Sequence, residues 1–251
     1  MSVLEVLFTP ADFAALRRRD LRKTTCVVFD VLRATSTIVT ALAHGAESII
    51  PVAEISEALV IKTGNPDVLL AGERNGLRIS SDLTGSVAFD LGNSPREFCS
   101  DIVLGKIICM TTTNGTRALH ACASANSVMV GSFLNMRATA DFLLRERPEH
   151  LLLICGGTGE EASYEDVLGA GALCHLLLDS LPPEAVSDSA LMASNLYLLE
   201  EPDLLAALSR SHNGKRLLAL PELREDVAFC TRLDRFPLVA RMRMDGSISA
   251  L

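Results

Sequence analysis

The feature that most limits what this chain can fold into is a recurring alternation of short aliphatic runs with helix-length segments. The runs lie at 5–8, 25–29, 48–51, 68–71, 106–110, 127–130 and 151–155. Strands this short that stay apolar throughout suit a sheet buried on both faces, and the segments between them are long enough for crossover helices. The pattern predicts an α/β fold, a mostly parallel sheet covered by helices on both faces. Helices are predicted at 10–18, 34–43, 55–62, 95–99, 115–122, 136–145, 166–178 and 189–199. Thr9-Pro10 and Ser94-Pro95 each place a capping residue before a proline at the first helical position. The tail, 224–251, has shorter apolar segments and a hairpin turn at Asp245-Gly246. Only 4% of residues are aromatic, against 49% hydrophobic, so the core is aliphatic.

A chain of 251 residues allows one large domain or two packed lobes. The segment Asp30-Val-Leu-Arg-Ala-Thr is echoed by Asp166-Val-Leu-Gly-Ala-Gly, identical at four of six positions. A single domain over 1–251 is expected, with candidate pseudo-repeat lobes around 1–125 and 126–251; chance in an Ala- and Leu-rich chain explains the echo equally well. No apolar run approaches the ~20 residues of a membrane helix, and no leader pattern opens the chain. A cytoplasmic protein is therefore expected. A net charge of −8 argues against nucleic acid as a partner. An anionic ligand must then be met by local cations, and Arg33, Arg74, Arg78, Arg96 and Arg117 all stand in or beside polar turns. The expected partners are a small anionic phosphorylated substrate and further copies of the chain in a homo-oligomer, with no membrane.

Several chemistries are excluded by spacing. The seven cysteines form no Cys-x-x-Cys pair and read as reduced, buried residues. Gly115 and Glu161 stand six residues after Cys109 and Cys155, where a Cys-x5-Arg phosphatase loop needs arginine. No Gly-x4-Gly-Lys-Ser/Thr loop is present. Asp30 ends a strand as the nucleophile of haloacid dehalogenase phosphatases does, but the second aspartate of that motif is replaced by Leu32.

Five segments carry polar chemistry. In Cys26-Val-Val-Phe-Asp-Val-Leu-Arg-Ala-Thr-Ser-Thr37, a strand ends on Asp30 and passes through Arg33 to Thr35 and Ser36 at a helix start, a place where α/β proteins bind phosphate and metal; Asp30 can equally serve only as a cap. Ala71-Gly-Glu-Arg-Asn-Gly-Leu-Arg78 brings Glu73, Arg74, Asn75 and Arg78 into one turn, suited to a metal ligand and bidentate anion contacts or to a solvated loop. Phe89-Asp-Leu-Gly-Asn-Ser-Pro offers Asp90 and Asn93, with Ser94 reading as a cap. Thr111-Thr112-Thr113-Asn114-Gly115-Thr116-Arg117 is a candidate anion nest. Cys155-Gly-Gly-Thr-Gly-Glu-Glu-Ala-Ser-Tyr-Glu-Asp-Val-Leu-Gly runs from a strand through a loop whose Gly156 and Gly157 permit close ligand approach, to Glu165 and Asp166.

In this order, together with the ending Glu225-Asp-Val-Ala-Phe-Cys-Thr-Arg-Leu-Asp234, these segments resemble the signature stretches of the 2-phosphosulfolactate phosphatase (ComB-like) family over nearly the whole chain. The resemblance implies a compact α/β fold and Mg²⁺-dependent hydrolysis of 2-phosphosulfolactate to sulfolactate and phosphate, a step of coenzyme M biosynthesis in methanogens. Other phosphorylated 2-hydroxy acids, or non-catalytic binding of anionic carboxylates, are the alternatives. On this reading Asp30 and Asp166, with Glu73 or Asp90, hold one Mg²⁺. Asp30, Arg33, Arg117 and Asp166 form the catalytic set, with Arg33, Arg117 and the 111–113 backbone on the phosphate oxygens. Thr35, Ser36, Arg74, Asn75, Arg78, Asn93, Thr111, Thr112, Thr113, Asn114, Gly156 and Gly157 are the expected substrate contacts. Whether water or a protein carboxylate attacks phosphorus stays open at this point.

Overall fold

The computed structural model describes all 251 residues apart from the side chain of Arg17. The strands are β1 (Val3–Leu7), β2 (Thr24–Phe29), β3 (Ser48–Pro51), β4 (Leu69–Arg74), β5 (Leu77–Arg78), β6 (Ile107–Thr111), β7 (Ser127–Gly131), β8 (His150–Cys155), β9 (Ala240–Met242) and β10 (Ile248–Ala250). The helices are α1 (Pro10–Ala14), α2 (Ala34–Ala43), α3 (Ile55–Gly64), α4 (Ser81–Thr84), α5 (Ser100–Val103), α6 (Gly115–Ala121), α7 (Met136–Glu146), α8 (Tyr164–Leu178), α9 (Asp188–Glu200), α10 (Leu204–Arg210), α11 (His212–Leu218) and α12 (Arg224–Cys230). Each predicted run is a strand with ends displaced by three residues at most. The predicted helix 95–99 is only a 3-10 turn, Pro95–Glu97, the helix at 10–18 turns 3-10 from Ala15, and β5, α4, α5 and α10–α12 were not anticipated.

The strands form one sheet in the order β1-β8-β2-β7-β9-β10-β3-β6-β4-β5. Two parallel blocks, β1-β8-β2-β7 and β3-β6-β4, are joined by the C-terminal hairpin β9-β10. Asp245 closes the hairpin by accepting from Ser247 N–H and Oγ, beside Gly246 at φ +83°. In the first block, β1 and β2 from the N-terminal half alternate with β8 and β7 from the C-terminal half.

Burial explains the unbroken apolar runs. Along β2, Val27 and Phe29 pack into one core with Leu151 and Leu153 of β8, whereas Cys26 and Val28 face a second core with Leu152 and Ile154. Both faces are covered, by α7–α9 on one side and by α2 and α6 on the other, so neither face needs polar residues. Among the described residues no helix is long and apolar enough to cross a membrane.

Three successive antiparallel pairings (β7–β9, β9–β10, β10–β3) make the second block run opposite to the first along the ladder. Over the five steps from β2 to β6, a twist of about 20–25° per step turns the second block through roughly 100–125°. Its reversed direction then points the ends of β4 and β6 back toward the end of β2, and the three ends border one pocket.

Helix α2 lies inside this curl, with every residue from Ala34 to Leu42 buried. Its sequence, ATSTIVTALA, is rich in hydroxyls, and each of them finds a nearby carbonyl. Thr35 Oγ1 donates to Asp30 O (2.9 Å), Ser36 Oγ to Val31 O (2.8 Å), Thr37 Oγ1 to Asn93 O (2.9 Å) and Thr40 Oγ1 to Ser36 O (2.7 Å). Satisfied in this way, the hydroxyls can be buried without the cost of an unmade hydrogen bond.

Candidate active site

The pocket at the meeting of the strand ends has a volume of about 100 Å³. Its walls come from the β2–α2 turn (Asp30, Leu32, Arg33), the β4–β5 turn (Glu73, Asn75, Gly76), Asn93, the β6–α6 turn (Thr112, Thr113, Asn114), the loop after β8 (Gly157, Thr158, Gly159) and α11 (Asn213, Arg216, Leu217).

Asp30 stands where the turns meet. A methyl group at Gly115 would lie 2.8 Å from Asp30 Oδ2 and 2.6 Å from Ala34 Cβ, so glycine is what lets the start of α6 close against the carboxylate. Asp30 accepts from Ala34 N–H (3.2 Å). Burial pushes its carboxyl up to about 7, and the charges of Glu73 and Glu165 add to the shift.

The neighbouring carboxylates tie the turns together. Glu73 accepts from Thr113 N–H and Oγ1 (2.8 and 2.7 Å) and from Gly76 N–H (2.6 Å), linking β4–β5 to β6–α6. Asp166, in the first turn of α8, accepts from Val31 N–H (2.8 Å) and Gly157 N–H (3.0 Å). Burial, then Asp30 and Glu165, holds its carboxyl well above the usual range. The echo between Asp30 and Asp166 is out of register, because Asp30 precedes α2 by four residues whereas Asp166 lies within α8.

Arg33 is 3% exposed and fixed from two sides: Nη1 donates to Asp226 Oδ2 and Nη2 to Gly76 O, both at 2.7 Å. Asp226, on α12, also accepts from Ser94 Oγ (2.7 Å) and Arg96 Nε (2.8 Å). Ser94 is thus no helix cap; its hydroxyl serves a buried aspartate far away in sequence. Asp226 lies in the C-terminal segment 225–234 but was given no role there, and no motif contained Asn213 or Arg216; all three lie on seven-residue helices.

Of the expected residues, the pocket gathers Asp30, Arg33, Glu73, Asn75, Asn93, Thr112, Thr113, Asn114 and Gly157. The others stand elsewhere. Thr35 and Ser36 are fully buried with their hydroxyls bonded to the β2–α2 turn, which they shape without reaching the pocket. Thr111 donates to Ala53 O and accepts from Arg74, whose other contact is Glu73 O. Asp90 binds Leu70 N–H (2.8 Å) and pairs with Lys62 (3.7 Å), outside the pocket wall. Arg78 lies in an adjoining cleft, bonded to Asp90 O (3.2 Å). Arg117 points from the exposed side of α6 to Glu160 (3.4 Å). Gly156 donates to Phe29 O and backs Asp30 from behind, as Asp166 backs the loop.

Among the described residues, no three His, Cys, Asp or Glu side chains converge on a point that could hold a metal ion. No three of the expected carboxylates Asp30, Glu73, Asp90 and Asp166 meet at such a point; Asp166 uses both oxygens for backbone N–H groups and Asp90 faces Leu70 and Lys62. The pocket offers a different donor set: the Asp30 carboxylate with Asn93 Oδ1 and Asn114 Oδ1, two buried oxygens that accept no hydrogen bond. One carboxylate and neutral oxygens, with waters and substrate oxygens completing the shell, suit a hard divalent cation such as Mg²⁺. The residues present fit the ion.

Comparison with known proteins gives the family of the chain. The family model described as 2-phosphosulpholactate phosphatase matches residues 13–245. A protein of Caldicellulosiruptor saccharolyticus is 37% identical over 227 residues, covering 89% of this chain and 90% of its own. One of Caldanaerobacter subterraneus subsp. tengcongensis is 38% identical over 239 residues, 94% and 95% of the two chains. One of Thermotoga maritima is 40% identical over 215 residues, 86% and 87%. All three are named "Probable 2-phosphosulfolactate phosphatase". By class, then, the protein is a phosphoric monoester hydrolase. The chain belongs to the 2-phosphosulpholactate phosphatase family.

Proposed function

We propose that this chain hydrolyses 2-phosphosulfolactate to sulfolactate and phosphate with the help of Mg²⁺. The reading rests on the names of its relatives and, in this molecule, on one observation: a buried carboxylate, Asp30, with no cation hydrogen-bonded to it, shares a small pocket with two donor-free amide oxygens. In this reading Asp30, Asn93 and Asn114 hold the ion. When bound, Mg²⁺ supplies positive charge to the phosphate oxygens. Arg33, locked by Asp226 and Gly76, presents its remaining face to the same oxygens, and Thr112 and Thr113 line the wall beside them. Such groups act by charge and position, which is most of what phosphoryl transfer requires. Water is the acceptor.

Phosphate release from 2-phosphosulfolactate tests this directly. The expected result is turnover that EDTA abolishes and added Mg²⁺ restores. No release from the Mg²⁺-loaded protein would refute the activity, and release indifferent to EDTA would refute the metal.

A further inference from the structure

Two guanidiniums face the pocket, and they differ in how they are held. Arg33 is buried and bonded to Asp226 and Gly76. Arg216 is exposed at the pocket mouth, and among the described residues it has no hydrogen-bond or ion-pair partner. Helix α11 carries it there by phase: Asn213, Arg216 and Leu217, at i, i+3 and i+4, all line the pocket. The helix is anchored in that phase, because Asn213 Nδ2 donates to Glu165 Oε1 (2.6 Å) and Thr158 Oγ1 (2.7 Å), and Ser211 caps it through Gly214 N–H (3.0 Å).

The guanidinium lies over the β4–β5 turn. A methyl group at Gly76 would come within 3.2 Å of Arg216 Nη2, and at φ +81° the position favours glycine in any case. Gly76 thus sits between two arginines, Arg33 on its carbonyl and Arg216 over its Cα. An unpaired arginine held at the mouth of a small polar pocket is suited to a weakly hydrated, multi-oxygen anion that reaches outward from the reacting group.

We infer that Arg216 takes the sulfonate of the substrate and sets the preference for a sulfonated phosphoester. This rests on the phosphatase reading above. With the phosphate toward Asp30 and Arg33, the sulfonate is the outermost anion, since it stands one carbon further from the ester than the carboxylate does.

The test compares 2-phosphosulfolactate with 2-phospholactate, which has the same ester and carboxylate but no sulfonate, on the Mg²⁺-loaded wild-type protein and on Arg216→Ala and Arg216→Lys. The ratio of kcat/KM for the two substrates should fall by about thirty-fold in Arg216→Ala, the loss of one charge-assisted contact, and recover in part in Arg216→Lys. Arg216 is exposed and unpaired, so both variants keep the fold. Equal loss on both substrates, or no loss on either, overturns the assignment. Wild-type protein that releases phosphate from neither substrate would bring down the phosphatase reading, and the role of Arg216 with it.

Discussion

Asp226 is fully buried and accepts three hydrogen bonds, from Arg33, Arg96 and Ser94; Asp30, also buried, accepts one to its side chain, from Ala34 N–H. Asp226 is hydrogen-bonded to two cations, whereas Asp30 is bonded to none, and the charges of Glu73 and Glu165 raise its carboxyl against an opposing effect of Arg33. A buried charge without a partner is costly, and chains keep one where a ligand will supply the missing charge. The Asp226 region is therefore scaffold that fixes an arginine. The same scaffold turns the Arg33 donors to Asp226 and Gly76, so Asp30 is left without a cation bonded to it.

The contrast predicts opposite effects on stability. Asp226→Ala leaves the buried Arg33 guanidinium without its carboxylate, and urea unfolding should show a loss of about 3–5 kcal/mol. A loss within ordinary surface values would place the scaffold elsewhere.

Asp30→Asn should move the other way in chelator-treated protein. The Asp30 carboxyl is raised from its ordinary value of 3.8 to about 7, so the folded state holds the proton more tightly than the unfolded chain. That contribution is complete below pH ~4, declines as pH rises, and is lost above pH ~7. Wild-type stability should fall across this window, and the Asn variant, in which only the raised Asp166 carboxyl is left, should show a smaller fall and be the more stable protein at pH 8. Parallel stability curves for the two proteins would contradict the unpaired carboxylate.

The smallest effects should come from residues that the motifs contain but the pocket does not. Asp90→Asn and Arg117→Ala should each change kcat/KM by about threefold or less, since both side chains are partly exposed and face away from the pocket wall. A loss of a hundredfold in either would return that residue to the site.

The sheet was legible because strands buried on both faces leave continuous apolar runs, as in β2 and β8. The turns that follow β2, β4, β6 and β8 were legible as well, and they supply most of the pocket wall. What misled at Thr35 and Ser36 is that a fully buried helix needs its hydroxyls for its own carbonyls, a demand invisible until α2 is placed inside the curl of the sheet. Arg117 was misplaced by phase: Gly115, Thr116, Ala118 and Leu119 of α6 are buried, which turns Arg117 outward. Asn213 and Arg216 escaped notice, and Asp226 in the segment 225–234 was given no role, because α11 and α12 have seven residues each, too few for helical periodicity to stand out. Their link to the site is entirely tertiary.

The most direct test of the account is the turnover of Asp30→Asn on 2-phosphosulfolactate with Mg²⁺ present, in a preparation shown by urea unfolding to be folded. The account predicts a protein at least as stable as the wild type above pH ~7 whose kcat is lower by about 10³-fold or more, equivalent to roughly 4 kcal/mol of barrier. Near-wild-type turnover by that folded variant would contradict the central role of the Asp30 carboxylate.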